Sequence, residues 1–344
     1  MKIVVDDKIP YILSPLHQLA DEVIAKAGDA ITREEVRDAE ILIARTRTRC
    51  DRRLLDGSAV RLIVTATIGF DHLDTDYLQK ANIAWTNCPG CNATSVAQYV
   101  CNSLLQLQRL KGIDLSQATL GIIGVGHVGT AVLHAAQQWG IGSILLNDPP
   151  REAAGDDAPE GLTWSPLQRL QEEATILTFH TPFTTNGDYP TLHLADKTFL
   201  HGLKQQPILI NAARGGIVDE TALLKAMDDG KVGPVIIDTW ENEPDVNLRL
   251  VEKAFIATPH IAGYSADGKA NATRMTLAAI CSYLKREMTF DIQPPAHDIT
   301  FSTNDDAVTR ALKLYDPLND SGRLKQHPEQ FEYLRGHYPL RRER

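Results

Sequence analysis

Residues 120–129 read Leu120-Gly121-Ile122-Ile123-Gly124-Val125-Gly126-His127-Val128-Gly129, an apolar run that breaks into Gly-x-Gly-x-x-Gly. Between a strand and a helix each glycine has its own steric reason. Gly124 permits the tight turn, Gly126 lets backbone approach a pyrophosphate, and Gly129 lets the helix pack closely on the sheet. His127 and Val128 then open the helix, whose unpaired N–H groups suit phosphate oxygens. Alone, the pattern is weak. The next strand ends in Leu145-Leu146-Asn147-Asp148, with Asp148 nineteen residues beyond Gly129. A carboxylate there accepts from both ribose hydroxyls and repels a 2′-phosphate, which selects NAD over NADP.

Working outward, short β-branched runs alternate with amphipathic stretches. Met1–Val5, Ile41–Ala44 and Leu62–Ala66 read as strands, Leu13–Ala27 as a helix, and Ala93–Lys111 as a long helix stopped by Gly112. After Thr119–Ile123 come Ser143–Leu146, Thr175–Phe179, Ile208–Ile210, Pro234–Ile237 and Phe255–Ala257 as buried strands, then a helix from about Asp267 to Lys285. Alternation of this kind predicts α/β architecture: a Rossmann-type doubly wound parallel sheet inserted into a smaller flavodoxin-like α/β substrate domain. The expected boundaries are 1–92 for the first domain, completed by a helix at about 265–288, and 93–264 for the NAD-binding domain. The segment 289–344 is expected as a small C-terminal module.

Composition narrows the class. The chain has 344 residues, 43% of them apolar and 23% charged, typical of a soluble globular protein. A net charge of −9 argues against a general nucleic-acid binder. No apolar run reaches about 18 residues, so no membrane helix is expected. The start, MKIVV followed by Asp6 and Asp7, is not a secretory signal, and five cysteines fit reduced thiols in a cytoplasmic protein.

Three further stretches sit where apolar strands end, the side on which open α/β sheets bind ligands. Asn211-Ala212-Ala213-Arg214-Gly215 offers Arg214. Asp238-Thr239-Trp240-Glu241-Asn242-Glu243-Pro244 offers three carboxylates. Thr258-Pro259-His260-Ile261-Ala262-Gly263-Tyr264 offers His260. Oxidising a secondary alcohol with NAD needs a base for the hydroxyl proton, and histidine titrates near neutrality. A neighbouring carboxylate fixes its tautomer, and an arginine fork holds a substrate carboxylate by two parallel hydrogen bonds. Each residue alone is more often structural; in this order after a dinucleotide fingerprint, the functional reading prevails.

These residues resemble the D-2-hydroxyacid dehydrogenase family, over about residues 1–290, whose Arg–Glu–His catalytic set maps onto Arg214, Glu243 and His260. Ala66-Thr67-Ile68-Gly69-Phe70-Asp71-His72, Cys88-Pro89-Gly90-Cys91-Asn92-Ala93, Asp148-Pro149-Pro150-Arg151 and Tyr189-Pro190-Thr191-Leu192-His193-Leu194 are similar to one branch of it. That branch oxidises 4-phospho-D-erythronate in vitamin B6 biosynthesis. The resemblance implies a cytoplasmic homodimer acting on a phosphorylated hydroxyacid. It implies substrate contacts at Thr46, Thr67 and Tyr264, and an NAD site lined by Asp148, Thr181, Ala212, Ala213, Arg214, Asp238 and Gly263. The usual loop, Ala-Thr-Ala-Gly-Thr-Asp-His, is changed here to carry Ile68 and Phe70. The tail ends at Arg344, earlier than in many members, so a shortened third module is expected. Alternatives are a 3-phosphoglycerate-type dehydrogenase and an NAD-sensing corepressor.

Two features invite other readings. Cys88-Pro-Gly-Cys91 has redox spacing but no second pair for zinc, and the histidines are not spaced as ligands, so no metal is predicted. In Arg45-Thr46-Arg47-Thr48-Arg49 a strand would put the arginines on one face, and Arg45 is the candidate for a substrate phosphate. The basic end, including Arg341, Arg342 and Arg344, is a weaker candidate for reaching a partner subunit's site.

Overall fold

The computed structural model describes residues 1–343. Two compact units emerge: Met1–Asn92 with Ser265–Ala296, and Ala93–Tyr264 with the chain from His297 onward. Each is built on one parallel sheet with helices on both faces, as the apolar strands require.

In the first unit β1 (Lys2–Asp6), β2 (Glu22–Lys26), β3 (Ile41–Ala44), β4 (Leu62–Thr65) and β5 (Ala84–Thr86) lie in the order β2-β1-β3-β4-β5, the flavodoxin-like arrangement. Ile3, Val5, Ile41, Ile43, Leu62 and Val64 pack in one cluster with residues of the Leu13–Leu19 and Ala266–Leu284 helices. Val4, Leu42, Ala44 and Ile63 fill the cluster on the other face. The strand order reverses between β1 and β3, so Asp6 at the end of one and Arg45 just past the other flank the switch point.

The expected Leu13–Ala27 helix is shorter. It stops at Leu19 because Ala20 is extended (φ −127°, ψ 150°), and Glu22–Lys26 pairs in parallel with β1. This edge strand is only half-buried, so it lacks the unbroken apolar run of a central strand. The three-residue β5, at the opposite edge, was equally silent.

In the second unit β6 (Thr119–Ile123), β7 (Ser143–Asn147), β8 (Ile176–Phe179), β9 (Ile208–Asn211), β10 (Val235–Ile237) and β11 (Ile256–Ala257) run β11-β10-β9-β8-β6-β7. A single parallel bridge from Leu146 to Trp164 extends it beyond β7. The switch point falls between β6 and β8, beside the glycine turn. Leu120, Ile122, Ile176, Ile208, Ile210 and Ile236 point into one core, and Ile123, Leu177, Phe179, Leu209, Val235 and Ile237 into the other.

Residues 289–344, expected as one module, are divided instead. Those up to Ala296 belong to the first unit, and the described residues from His297 to the second. Helices Ala307–Leu314, Pro317–Gln326 and Phe331–Gly336 put Leu312 and Tyr315 into one core of the second unit, and Leu324 and Phe331 into the other. Ser321 accepts the Ala257 N–H at 3.0 Å, covering the exposed edge of β11.

Candidate active site

The glycine turn comes first. Gly124 has φ +85°, and a Cβ there would lie 2.7 Å from the Thr181 nitrogen; one at Gly129 would lie 2.1 Å from the Gly124 carbonyl oxygen. Both glycines are therefore demanded by the protein's own packing. A Cβ at Gly126 would meet nothing within 4 Å, so that residue opens a cradle over the N-terminus of the His127–Gln138 helix. That helix has no side-chain cap. Beside the turn the Thr181 hydroxyl is buried without a hydrogen-bond partner. Asp148 accepts from the Val125 N–H at 2.8 Å and the Arg151 N–H at 3.2 Å, tying the turn to the end of β7. An open cradle at a helix N-terminus, an unpaired hydroxyl and a strand-end carboxylate together fit a dinucleotide.

At the end of β9, the Asn211 side chain accepts from the Ala213 N–H at 3.2 Å and donates to the Arg214 carbonyl at 3.1 Å, shaping the loop that carries Arg214. Ala212 and Ala213 are buried. The Arg214 guanidinium donates to the Ala213 carbonyl at 2.8 Å. Gly215 presses on the segment after β10; a Cβ there would come within 1.8 Å of the Trp240 oxygen. The Arg214 loop and the approach to Glu243 are thus packed together.

Asp238, at 1% exposure, was expected among the cofactor contacts. The structure occupies both its oxygens internally: one accepts Thr258 Oγ1 at 2.6 Å and the Ile261 N–H at 2.8 Å, the other the Ala262 N–H at 2.9 Å. Burial raises its carboxyl above the ordinary range. The strap brackets His260, which sits at φ +58°, and half-buried Gly263 follows. Thr258 went unnoticed in the sequence although it is bonded at once to Asp238 and to the Tyr99 hydroxyl, 2.8 Å away.

His260 Nδ1 lies 3.0 and 2.8 Å from the two oxygens of Glu243. Glu243 Oε1 also accepts the Trp240 N–H at 3.0 Å, and Arg335 Nη1 approaches Oε2 at 3.3 Å. Burial by itself would raise the Glu243 carboxyl; the His260 hydrogen bond and charge, the Trp240 N–H and Arg335 outweigh it and hold it below the ordinary range. With Nδ1 committed to Glu243, Nε2 is the nitrogen left for a substrate proton. Arg335 is a second residue that the sequence did not announce, 92 positions from its partner.

The other candidates divide. Arg45–Arg49 is a turn after β3, so the alternating basic face does not form. Arg45 instead pairs with Asp6, Nε to Oδ2 at 3.1 Å and Nη2 to Oδ1 at 3.2 Å, at the switch point of the first sheet. Thr46 is exposed there, and Thr67, after β4, bonds Thr65 at 2.7 Å and the Gly69 carbonyl at 2.8 Å. Phe70 lies tilted against Trp85, with centroids 5.0 Å apart. Half-buried Tyr264 meets Tyr338 edge-on. Cys88 and Cys91 are free buried thiols, and burial pushes Cys91 up to about 12.

Arg341 does not reach outward. It is buried, donating to the carbonyls of Ser95, Ile261, Ala262 and Tyr264 over the Tyr315 ring. The Arg342 carbonyl accepts from Gln98 at 3.0 Å, and Arg344 lies outside the described residues.

Residues 92–262 match the family model for the NAD binding domain of D-isomer specific 2-hydroxyacid dehydrogenases. Over 343 residues the chain is 50% identical to an erythronate-4-phosphate dehydrogenase of Bacteroides thetaiotaomicron, covering 100% of this chain and 97% of that one. It is 42% identical to the enzyme of that name from Porphyromonas gingivalis, covering 100% and 94%. Among solved structures, D-lactate dehydrogenase from Aquifex aeolicus, complexed with NAD and lactic acid, superposes with a TM-score of 0.68 at 25% identity, covering 83% of this chain and 96% of that one. An NAD+-bound 3-phosphoglycerate dehydrogenase of Entamoeba histolytica shares the fold at 0.67 and 24%, covering 83% and 95%. The chain belongs to the erythronate-4-phosphate dehydrogenases, within the D-isomer specific 2-hydroxyacid dehydrogenase family.

Proposed function

We propose that this protein oxidises 4-phospho-D-erythronate at C2 to 2-oxo-3-hydroxy-4-phosphobutanoate, with NAD as acceptor, in vitamin B6 biosynthesis. The observation that carries the reading is His260 Nδ1 held on both oxygens of Glu243, in a chain aligned from end to end with relatives of that name.

NAD, when bound, supplies the hydride acceptor. Gly124, Gly126, His127, Val128 and Gly129 would hold its pyrophosphate, Asp148 its ribose, and Thr181, Ala212, Ala213 and Gly263 complete the proposed site, with Asp238 bracing it through the Ile261 and Ala262 N–H groups. Arg214 clamps the C1 carboxylate and orients C2. His260 Nε2 takes the hydroxyl proton as the C–H pair leaves C2. Glu243 keeps that proton acceptor in the right tautomer and stabilises the imidazolium that forms. For the substrate's far end we assign Arg45, Thr46 and Thr67, with Tyr264 beside the reacting carbon. We further propose a cytoplasmic homodimer with residues from 289 onward at its interface. No helix of the described residues is long and apolar enough to cross a membrane.

The test is the initial rate of NAD reduction with 4-phospho-D-erythronate, 3-phosphoglycerate and unphosphorylated D-erythronate, with a trap for the oxo product because the equilibrium favours the alcohol. Preference for the first supports the assignment. Preference for 3-phosphoglycerate, or no turnover with NAD binding intact, rejects it.

A further inference from the structure

The glutamate of the proposed dyad has a neighbour that the dehydrogenase chemistry above does not use. Glu243 Oε2, 2.8 Å from His260 Nδ1, is also the oxygen approached by Arg335 Nη1 at 3.3 Å. Arg335 comes from the short Phe331–Gly336 helix, with its side chain 23% exposed and that of Glu243 17%. We infer that Arg335 is a positioning residue: its guanidinium holds the Glu243 carboxylate against the imidazole and sets the pH at which His260 can accept a proton. This rests on the dehydrogenase reading for its kinetic arm only.

The physical reason is charge sharing. A carboxylate facing an imidazole alone favours the imidazolium, which cannot act as base. A guanidinium on the same carboxylate opposes that bias while leaving the hydrogen bond in place. Other titratable groups face the trio. Glu332 lies 3.7 Å from Arg335 on the same helix. Tyr264 shares a hydrogen bond with Arg335. Asp238 acts on His260 from the end of β10, and Glu220 on Glu243 from the start of the Glu220–Asp228 helix. Of these, Arg335 is the cation in contact with the Glu243 carboxylate. A unit charge roughly 6 Å from the imidazole, at an effective dielectric near 40, moves a titration by roughly one pH unit.

The experiment compares full-length wild type with Arg335→Gln and Arg335→Lys. It reads the acidic limb of kcat/KM for oxidation, the pH midpoint of the His260 ring resonances by NMR in cofactor-free protein, and KM for NAD. Arg335→Gln should move both midpoints up by about one unit and lower plateau kcat several-fold, with KM for NAD within twofold. Arg335→Lys should return both midpoints to within a few tenths of wild type. Folded Arg335→Gln with unmoved midpoints overturns the inference, as does a raised substrate KM with no movement, which would make Arg335 a substrate contact. Should Arg335→Gln fail to fold, Glu332→Gln reads the same coupling from the other side. A fall of a few tenths in the His260 midpoint supports the inference, and none overturns it. If the NMR midpoints move as stated while wild type oxidises no hydroxyacid, the positioning role stands and the substrate assignment falls.

Discussion

Replacing Glu243 by glutamine changes one oxygen to an amide and tests the acid–base pair directly. In the wild type Oε1 accepts both the Trp240 N–H and the His260 ring, while Oε2 faces His260 and Arg335. In Glu243→Gln the amide oxygen stays with the Trp240 N–H, so the NH2 group turns toward the guanidinium and Nδ1. A donor facing Nδ1 favours the tautomer with the proton on Nε2, the wrong one for a base. The charge is lost as well. Opposite unit charges about 4 Å apart at an effective dielectric of 20 attract by about 4 kcal/mol. Partial exposure and the share taken by Arg335 reduce that to about 2–3 kcal/mol, or roughly 30- to 150-fold. With the tautomer penalty added, the expected loss in kcat/KM is about 100- to 1000-fold; the corresponding change in a serine-protease triad costs about 10⁴. Steady-state NADH formation across pH 6–10 measures it, with NAD affinity from fluorescence titration as the control. A loss smaller than about fivefold with unchanged NAD affinity would refute the assigned role of Glu243.

The glycine turn separates folding from cofactor binding: Gly126→Ala, whose Cβ meets no protein atom, should melt within about 1 °C of wild type yet bind NAD at least tenfold more weakly. Gly129→Ala drives a Cβ into the Gly124 carbonyl and should lower stability by about 3 kcal/mol or more, read by thermal and urea unfolding. Glu220 is pushed up to about 7, chiefly by burial and then by Glu241, Glu243 and Asp219. A carboxyl raised in the folded state stabilises fully below its unfolded value near 4.5, and that contribution is lost as pH rises through about 7. Glu220→Gln should therefore raise the melting temperature at pH 8 by one to a few degrees and leave it unchanged at pH 4.5. Arg341→Ala strands the buried carbonyls of Ser95, Ile261, Ala262 and Tyr264 and should cost about 3 kcal/mol or more, with kcat falling as the segment after His260 loosens.

The glycine spacing, the strands from Thr119 to Ala257 and the long Ala93–Lys111 helix were legible because each is a local pattern backed by full burial. β2 and β5 were not, since edge strands pack on too little core to leave an apolar signature. The arginine stretch 45–49 alternates like a strand but turns, because the sheet ends at Ala44 and Arg45 is drawn to Asp6. Alternation of charge carries no burial, and burial is what holds a strand in register.

Sequence alone determined the parallel α/β class, the dinucleotide turn and Arg214, His260 and three nearby carboxylates as candidates, because turn sterics and side-chain chemistry are properties of neighbouring residues; the family resemblance picks Glu243 from the three. Only tertiary structure decided what each candidate touches. It turned Asp238 from a free carboxylate into the strap around His260, drew Arg341 inward, and set Arg335 on Glu243 across 92 positions. The two arginine pairings are made by the packing of the tail on the second unit. A long-range contact between one arginine and one carboxylate leaves no periodicity for a reader of the chain to find.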